Sequence, residues 1–185
     1  MNIEADLKIT LITGGARSGK SRLAQEMAGK AGGPVLFVAT AEAGDEEMKR
    51  RIEVHRKNRP AGWTTLEVTT DIGRVLTAKI GRAQTVIIDC ITLLVNNVFQ
   101  QHAGADAATL EKAVEAEING LIKCLESPGA RFIIVTNEVG LGIVPADETS
   151  RLYRDLLGRA NQMLAERADE GILMVAGIPM SLKKY

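Results

Sequence analysis

Short apolar, β-branched runs alternate along the chain with longer stretches in which apolar residues recur every three or four positions. The short runs fall at Lys8 to Thr13, Val35 to Ala39, Trp63 to Val68, Thr85 to Asp89, Phe132 to Thr136 and Ile172 to Ala176. They are apolar nearly throughout, which suits parallel strands buried on both faces. In the longer stretches, Leu110, Val114, Ile118, Leu121, Ile122 and Leu125 share one helical face. Ala107 to Glu126 is therefore predicted to be an amphipathic helix, ended by Ser127, Pro128 and Gly129. A second helix is predicted over Arg151 to Arg167, after the turn Pro145-Ala146-Asp147. Strands alternating with covering helices make the class α/β. With 185 residues, no repeat and no break in composition, one domain spanning residues 1–185 is expected. Ligands of such sheets collect beyond the carboxyl ends of the strands. A site is thus expected among Gly14 to Ser21, Ala39 to Ala41, Asp89, Asn137 to Gly142 and Gly177 to Pro179.

Charge and cysteine content narrow the function classes. The chain carries 23 basic and 23 acidic residues, so it has no bulk field to hold nucleic acid or an anionic membrane. Any basic site must be local. Cys90 and Cys124 are too few for a disulfide framework, and the acidic start around Glu4 and Asp6 lacks the basic region of a signal peptide. The apolar stretch Val86 to Val95 is interrupted by Asp89, Cys90 and Thr92 and falls short of the roughly 20 residues that span a bilayer. The expectation is a soluble, cytoplasmic protein without membrane insertion.

One motif carries clear chemistry. Gly14, Gly15, Ala16, Arg17, Ser18, Gly19, Lys20 and Ser21 match G-x-x-x-x-G-K-S, between a predicted strand and a predicted helix through Ala31. Glycines there let backbone amides converge on phosphate oxygens, and the following helix points its positive end at the same anion. Lys20 is expected to bind the outer phosphates and Ser21 to ligate magnesium. Asp89 ends an apolar strand, where this fold needs a carboxylate to orient the magnesium shell; a strand-end cap is the plainer reading of it. Thr136-Asn137-Glu138-Val139 stands where a guanine-reading switch GTPase would carry Asn-Lys-x-Asp, which argues against that class.

Asp45 to Arg59 is acidic at its start and basic at its end, a polarity that suits a helix dipole. If the helix persists to Pro60, Arg51, His55 and Arg59 form one stripe at four-residue spacing. Neutral imidazole attacks phosphorus without first losing a proton, and flanking guanidiniums would hold the transferred phosphate. Spacing alone favours the plainer reading, a solvated basic face with an incidental histidine.

Taken in order, three segments resemble one family. TGGARSGKS at Thr13 to Ser21, RIEVHRKNRPAGWTTLE at Arg51 to Glu67 and TNEVGLGIVP at Thr136 to Pro145 are similar to the bifunctional adenosylcobinamide kinase and adenosylcobinamide-phosphate guanylyltransferases of cobalamin assembly. The resemblance runs from about Ile9 to Lys183. It implies a P-loop NTPase with a RecA-like, mostly parallel sheet and helices on both faces, assembled as a homotrimer. It also implies two reactions with Mg²⁺ as cofactor and ATP or GTP as donor. Adenosylcobinamide is phosphorylated, and GMP from GTP is then moved to adenosylcobinamide phosphate through a guanylylated histidine, which falls on His55. The implied nucleotide contacts fall on Gly14 to Ser21, on Ala39, Thr40 and Ala41, on Arg56, Lys57, Asn58 and Arg59, and on Glu67 and Asp89. Glu67 rests on the resemblance alone. A single-step P-loop kinase of another small molecule is the alternative.

Overall fold

The apolar runs become strands within two residues of their expected bounds: β1 Ile9–Gly14, β2 Val35–Ala39, β3 Thr64–Glu67, β4 Thr85–Asp89, β5 Arg131–Val135 and β6 Glu170–Val175. The structure, a computed structural model, describes residues 8–42, 46, 49–50, 53, 56, 59–126 and 129–184. The strands form one sheet in the order β3-β2-β4-β5-β1-β6-β7, parallel except at β6 and β7. The seventh strand, β7 Ile178–Lys184, was not among those expected. It returns against β6 through Ala176 and Gly177, both at positive φ (52° and 83°), the backbone of a tight two-residue hairpin. Gly177 to Pro179 is therefore not a loop opening into a helix: Pro179 lies inside β7, opposite Met174.

Five helices lie wholly within the described residues and accompany the sheet: α1 Lys20–Ala31, α2 Ile72–Lys79, α3 Ile91–Gln101, α4 Ala107–Leu125 and α5 Glu148–Arg167. α5 starts before the expected Arg151 because the Asp147 carboxylate accepts the Ser150 N–H at 2.7 Å and caps it there. Asp106 does the same for α4 through Thr109. The helical period had not revealed α2 or α3. α2 has only eight residues, and α3 follows β4 so closely that strand and helix merge into one apolar stretch.

Right-handed crossovers decide which face each helix covers. β1 is followed by a move toward the β3 edge, so α1 lies on one face, over Ile12, Phe37, Ile87 and Ile133. Connections moving back toward β7 put α2 to α5 on the other, over Leu11, Val38, Ile88 and Phe132. Phe132 is fully buried, and truncating such a ring to alanine costs about 3–5 kcal/mol. α2 and α4 pack closely: a Cβ on Gly73 would strike the backbone carbonyl of Gly120.

In the basic segment, Glu46, Lys49, Arg50, Glu53 and Arg56 are helical. Arg59 is not. It lies in a bend after the helix, its N–H on the Arg56 carbonyl at 3.3 Å, so the stripe expected to run to Pro60 does not include it. Arg51, His55, Lys57 and Asn58 lie outside the described residues.

Candidate active site

The phosphate loop is shaped by its own backbone and braced by its neighbours. Gly14 ends β1 at φ 142°, and a Cβ there would strike the Met174 carbonyl, so no side chain fits. Ser18 donates its N–H to the Gly15 carbonyl at 3.3 Å, and Gly19, at φ 98°, opens α1 without a side-chain cap. The amide end of α1 is therefore left to an anion. Two outside bonds hold the loop: Gly177 N–H to the Ser18 carbonyl at 3.0 Å and Glu138 N–H to the Gly14 carbonyl at 3.1 Å. Gly15, Ala16 and Arg17 are exposed, while Ser21 is half-buried in the first turn of α1.

Lys20 is 7% exposed and donates from Nζ to the Gly15 carbonyl at 2.6 Å. A carbonyl is a weaker partner for an ammonium than a phosphate oxygen, so this contact is one a triphosphate can replace. Burial pushes the Lys20 pKa below its ordinary value, with Cys90 and Asp89 opposing. Asp89 is thus close enough to act on Lys20 across β5.

The tips of β2, β3 and β4 stand level. Ala39 pairs in register with Glu67 on one side and Asp89 on the other. Thr40 is fully buried, and its hydroxyl accepts the Cys90 N–H at 2.8 Å and donates to the Cys90 carbonyl at 2.7 Å. Asn97 donates to the carbonyls of Thr40 at 2.8 Å and Thr69 at 2.9 Å. Of the expected segment 39–41, the Thr40 side chain is thus committed to the tip of β4, and Ala41 is the part that reaches the surface. Burial pushes the Cys90 thiol up to about 11, so it stays neutral and takes no charge-bearing role.

Arg59 lies on the α1 face. Its guanidinium carbon sits 3.9 Å from the centre of the Phe37 ring, and one terminal nitrogen donates to the Thr65 hydroxyl at 3.3 Å. Its Nε is buried without a hydrogen-bond partner among the described residues. Burial lowers its pKa, Asp89 and Glu67 oppose and Arg56 reinforces; an arginine so placed stays cationic. Arg56 pairs with Glu67 at 3.9 Å on the surface, a contact worth at most about 1 kcal/mol. The structure therefore brings Lys20, Asp89, Arg59, Arg56 and Glu67 to one edge of the sheet. Phe37, Asn97 and Glu138 also stand there; Glu138 belongs to the expected segment Asn137 to Gly142, whereas no motif singled out Phe37 or Asn97. Phe37 reads as core, and the positions of the other two depend on strand order.

Among the described residues no cluster of three or more His, Cys, Asp or Glu side chains could hold a metal by itself. The donors that the phosphate-loop pattern assigns to a metal are one hydroxyl, Ser21, and one carboxylate, Asp89. That sparse set fits magnesium, which commonly takes one or two carboxylates, water and the substrate's own phosphates.

A family model described as cobinamide kinase / cobinamide phosphate guanyltransferase matches residues 10–182. The bifunctional adenosylcobalamin biosynthesis protein CobU of Escherichia coli (strain K12) is 41% identical over 179 residues, covering 94% of this chain and 98% of that protein. CobP of Pseudomonas aeruginosa, which carries the same description, is 42% identical over 173 residues, covering 94% and 96%. Among solved structures, a prototypical ATPase from the type III secretion system of pathogenic bacteria superposes with a TM-score of 0.52 at 13% identity. The match covers 91% of this chain and 52% of that one, and it shows a shared α/β, RecA-like fold.

Proposed function

The chain belongs to the cobinamide kinase / cobinamide phosphate guanyltransferase family and is an enzyme of both activities, and we propose that one phosphate-loop site serves the two transfers. In the first, ATP or GTP phosphorylates adenosylcobinamide. In the second, His55 attacks the α-phosphorus of GTP, pyrophosphate leaves, and the GMP-histidine passes its nucleotide to adenosylcobinamide phosphate, giving adenosylcobinamide-GDP. The observation that carries this reading is the buried Lys20 in an uncapped glycine loop, with Asp89 near enough to perturb it.

Residues 14–21 grip the triphosphate, with Lys20 offsetting charge on the outer phosphates. Arg59, Arg56 and Glu67 border the nucleotide on the β3 side and residues 39–41 floor it, with Lys57 and Asn58 as the further nucleotide contacts that the resemblance implies. Ser21 and Asp89 would hold Mg²⁺, which when bound supplies positive charge to the phosphate oxygens. The same reading makes residues 1–185 one catalytic domain in the cytoplasm, where its nucleotide donors are. Among the described residues no helix is long and apolar enough to cross a membrane. It also includes a homotrimer, supported by the exposed apolar row Val175, Ile178, Met180 and Leu182 along the sheet's last hairpin.

Incubation with α-labelled GTP followed by denaturation tests the guanylyl half. Label that survives base, is lost in acid and is absent from His55→Asn is the expected result. Wild-type protein that binds GTP yet retains no label would overturn it. Transfer of γ-label to adenosylcobinamide tests the other half, and mass in solution tests the trimer.

A further inference from the structure

The two acceptors differ in one chemical respect. The kinase acceptor is a hydroxyl, which must lose a proton as it attacks, whereas the guanylyl acceptor is a phosphate already ionised at neutral pH. Only the first transfer needs a base. Lys20 is a cation, Asp89 is given to magnesium in the reading above, and Glu67 is paired with Arg56.

Strand order points to another carboxylate. β5 lies between β4, which ends in Asp89, and β1, which runs into the phosphate loop. The segment leaving β5 therefore emerges between the two. Glu138 is on it, pinned by its own N–H to the Gly14 carbonyl at 3.1 Å. One carboxylate oxygen accepts the Gly140 N–H at 2.6 Å. A carboxylate offers about four lone-pair sites, so that bond leaves room for a substrate proton.

The backbone just before it is locked to two helices. Asn137 donates its N–H to the Thr92 hydroxyl at 2.9 Å, and its carbonyl accepts from Asn161 at 3.1 Å. Thr136, fully buried, donates its hydroxyl to Asn161 at 2.7 Å. α3 and α5 thus hold Glu138 against the loop, the rigid support that a positioned acid or base needs.

We propose that Glu138 is the catalytic base of the phosphoryl-transfer step. The acceptor oxygen bonds to the γ-phosphorus, the bond from that phosphorus to the β,γ-bridging oxygen breaks, and the nucleoside diphosphate leaves with the electron pair. The hydroxyl proton passes to the Glu138 carboxylate and from there to water. This inference rests on the bifunctional reading above.

Glu138→Gln is the test, because an amide oxygen still accepts the Gly140 N–H but takes no proton. In the full-length variant the kinase kcat is expected to fall about 100-fold or more, with loss of the acid limb of its pH profile. The triphosphate KM, and GMP transfer to adenosylcobinamide phosphate supplied ready-made, are expected to stay within about threefold of wild type. Glu138→Asp is expected to recover part of the kinase rate and the acid limb. A Gln variant whose kinase kcat matches wild type overturns the proposal alone, and equal loss of both transfers makes Glu138 a loop support instead. Wild-type protein that guanylylates but never phosphorylates adenosylcobinamide would overturn the kinase reading and this base together.

Discussion

Lys20, buried, and Arg59, half-buried, are two cations of the site, and they are held in opposite ways. Lys20 is set by its own loop: its partner is the carbonyl five residues before it, on a turn shaped by Gly14 and Gly19. Arg59 is set by three strands: β3, just after it, supplies the Thr65 hydroxyl, while the distant β2 supplies the Phe37 ring and Asp89 at the end of β4 the opposing charge. One contact is a carbonyl that phosphate can displace. The other is a ring face that leaves Nε without a partner among the described residues. The difference suggests a division of labour, with a local grip common to both transfers and an assembled arm that serves the α-phosphate.

Lys20→Ala is expected to lower both transfers by on the order of 10³-fold, since it removes a donor aimed at developing charge. Steady-state rates for the two half-reactions check this, and unequal losses would break the idea of a shared grip. Arg59→Ala is expected to cut formation of the GMP adduct on the order of 10²-fold while the kinase falls by less than about tenfold. Equal damage to the kinase would erase the distinction between the two cations.

Phe37→Leu keeps an apolar side chain on β2 but removes the ring beneath Arg59. A cation–π contact of this kind is worth about 0.5–2 kcal/mol, so guanylylation should fall between about twofold and thirtyfold with the kinase rate unchanged. A drop confined to thermal stability would make the ring ordinary core.

Cys90 gives the mildest test, at the β4 tip between the two cations. Its thiol is raised to about 11 in the folded chain by burial. The folded state therefore favours the protonated form, and that stabilisation, full below the ordinary thiol range, fades as pH climbs toward about 11. Iodoacetamide at pH 8 should label Cys90 far more slowly in native than in unfolded protein, as read by peptide mass. Rapid native labelling would show the tip to be open.

The sequence by itself determined six strands, three of the helices and the phosphate loop, because each is written in neighbouring residues. An apolar run, a three- or four-residue period and a glycine pattern are local properties. β7 has a local signal too, since Ile178, Met180 and Leu182 alternate and Ala176-Gly177 turns the chain, but a glycine and a proline just after a strand fit a site loop equally well. α3 was hidden by continuity with β4. The presence of Arg59 in the basic segment was legible, but its seat was not: the bend that takes it off the helix places it over Phe37. Likewise Glu138 was legible as part of the expected site segment Asn137 to Gly142, but its place against the phosphate loop was not. Strand order alone brings it beside Gly14, and order is decided by which buried faces pair across the whole sheet, a long-range outcome that no local pattern encodes.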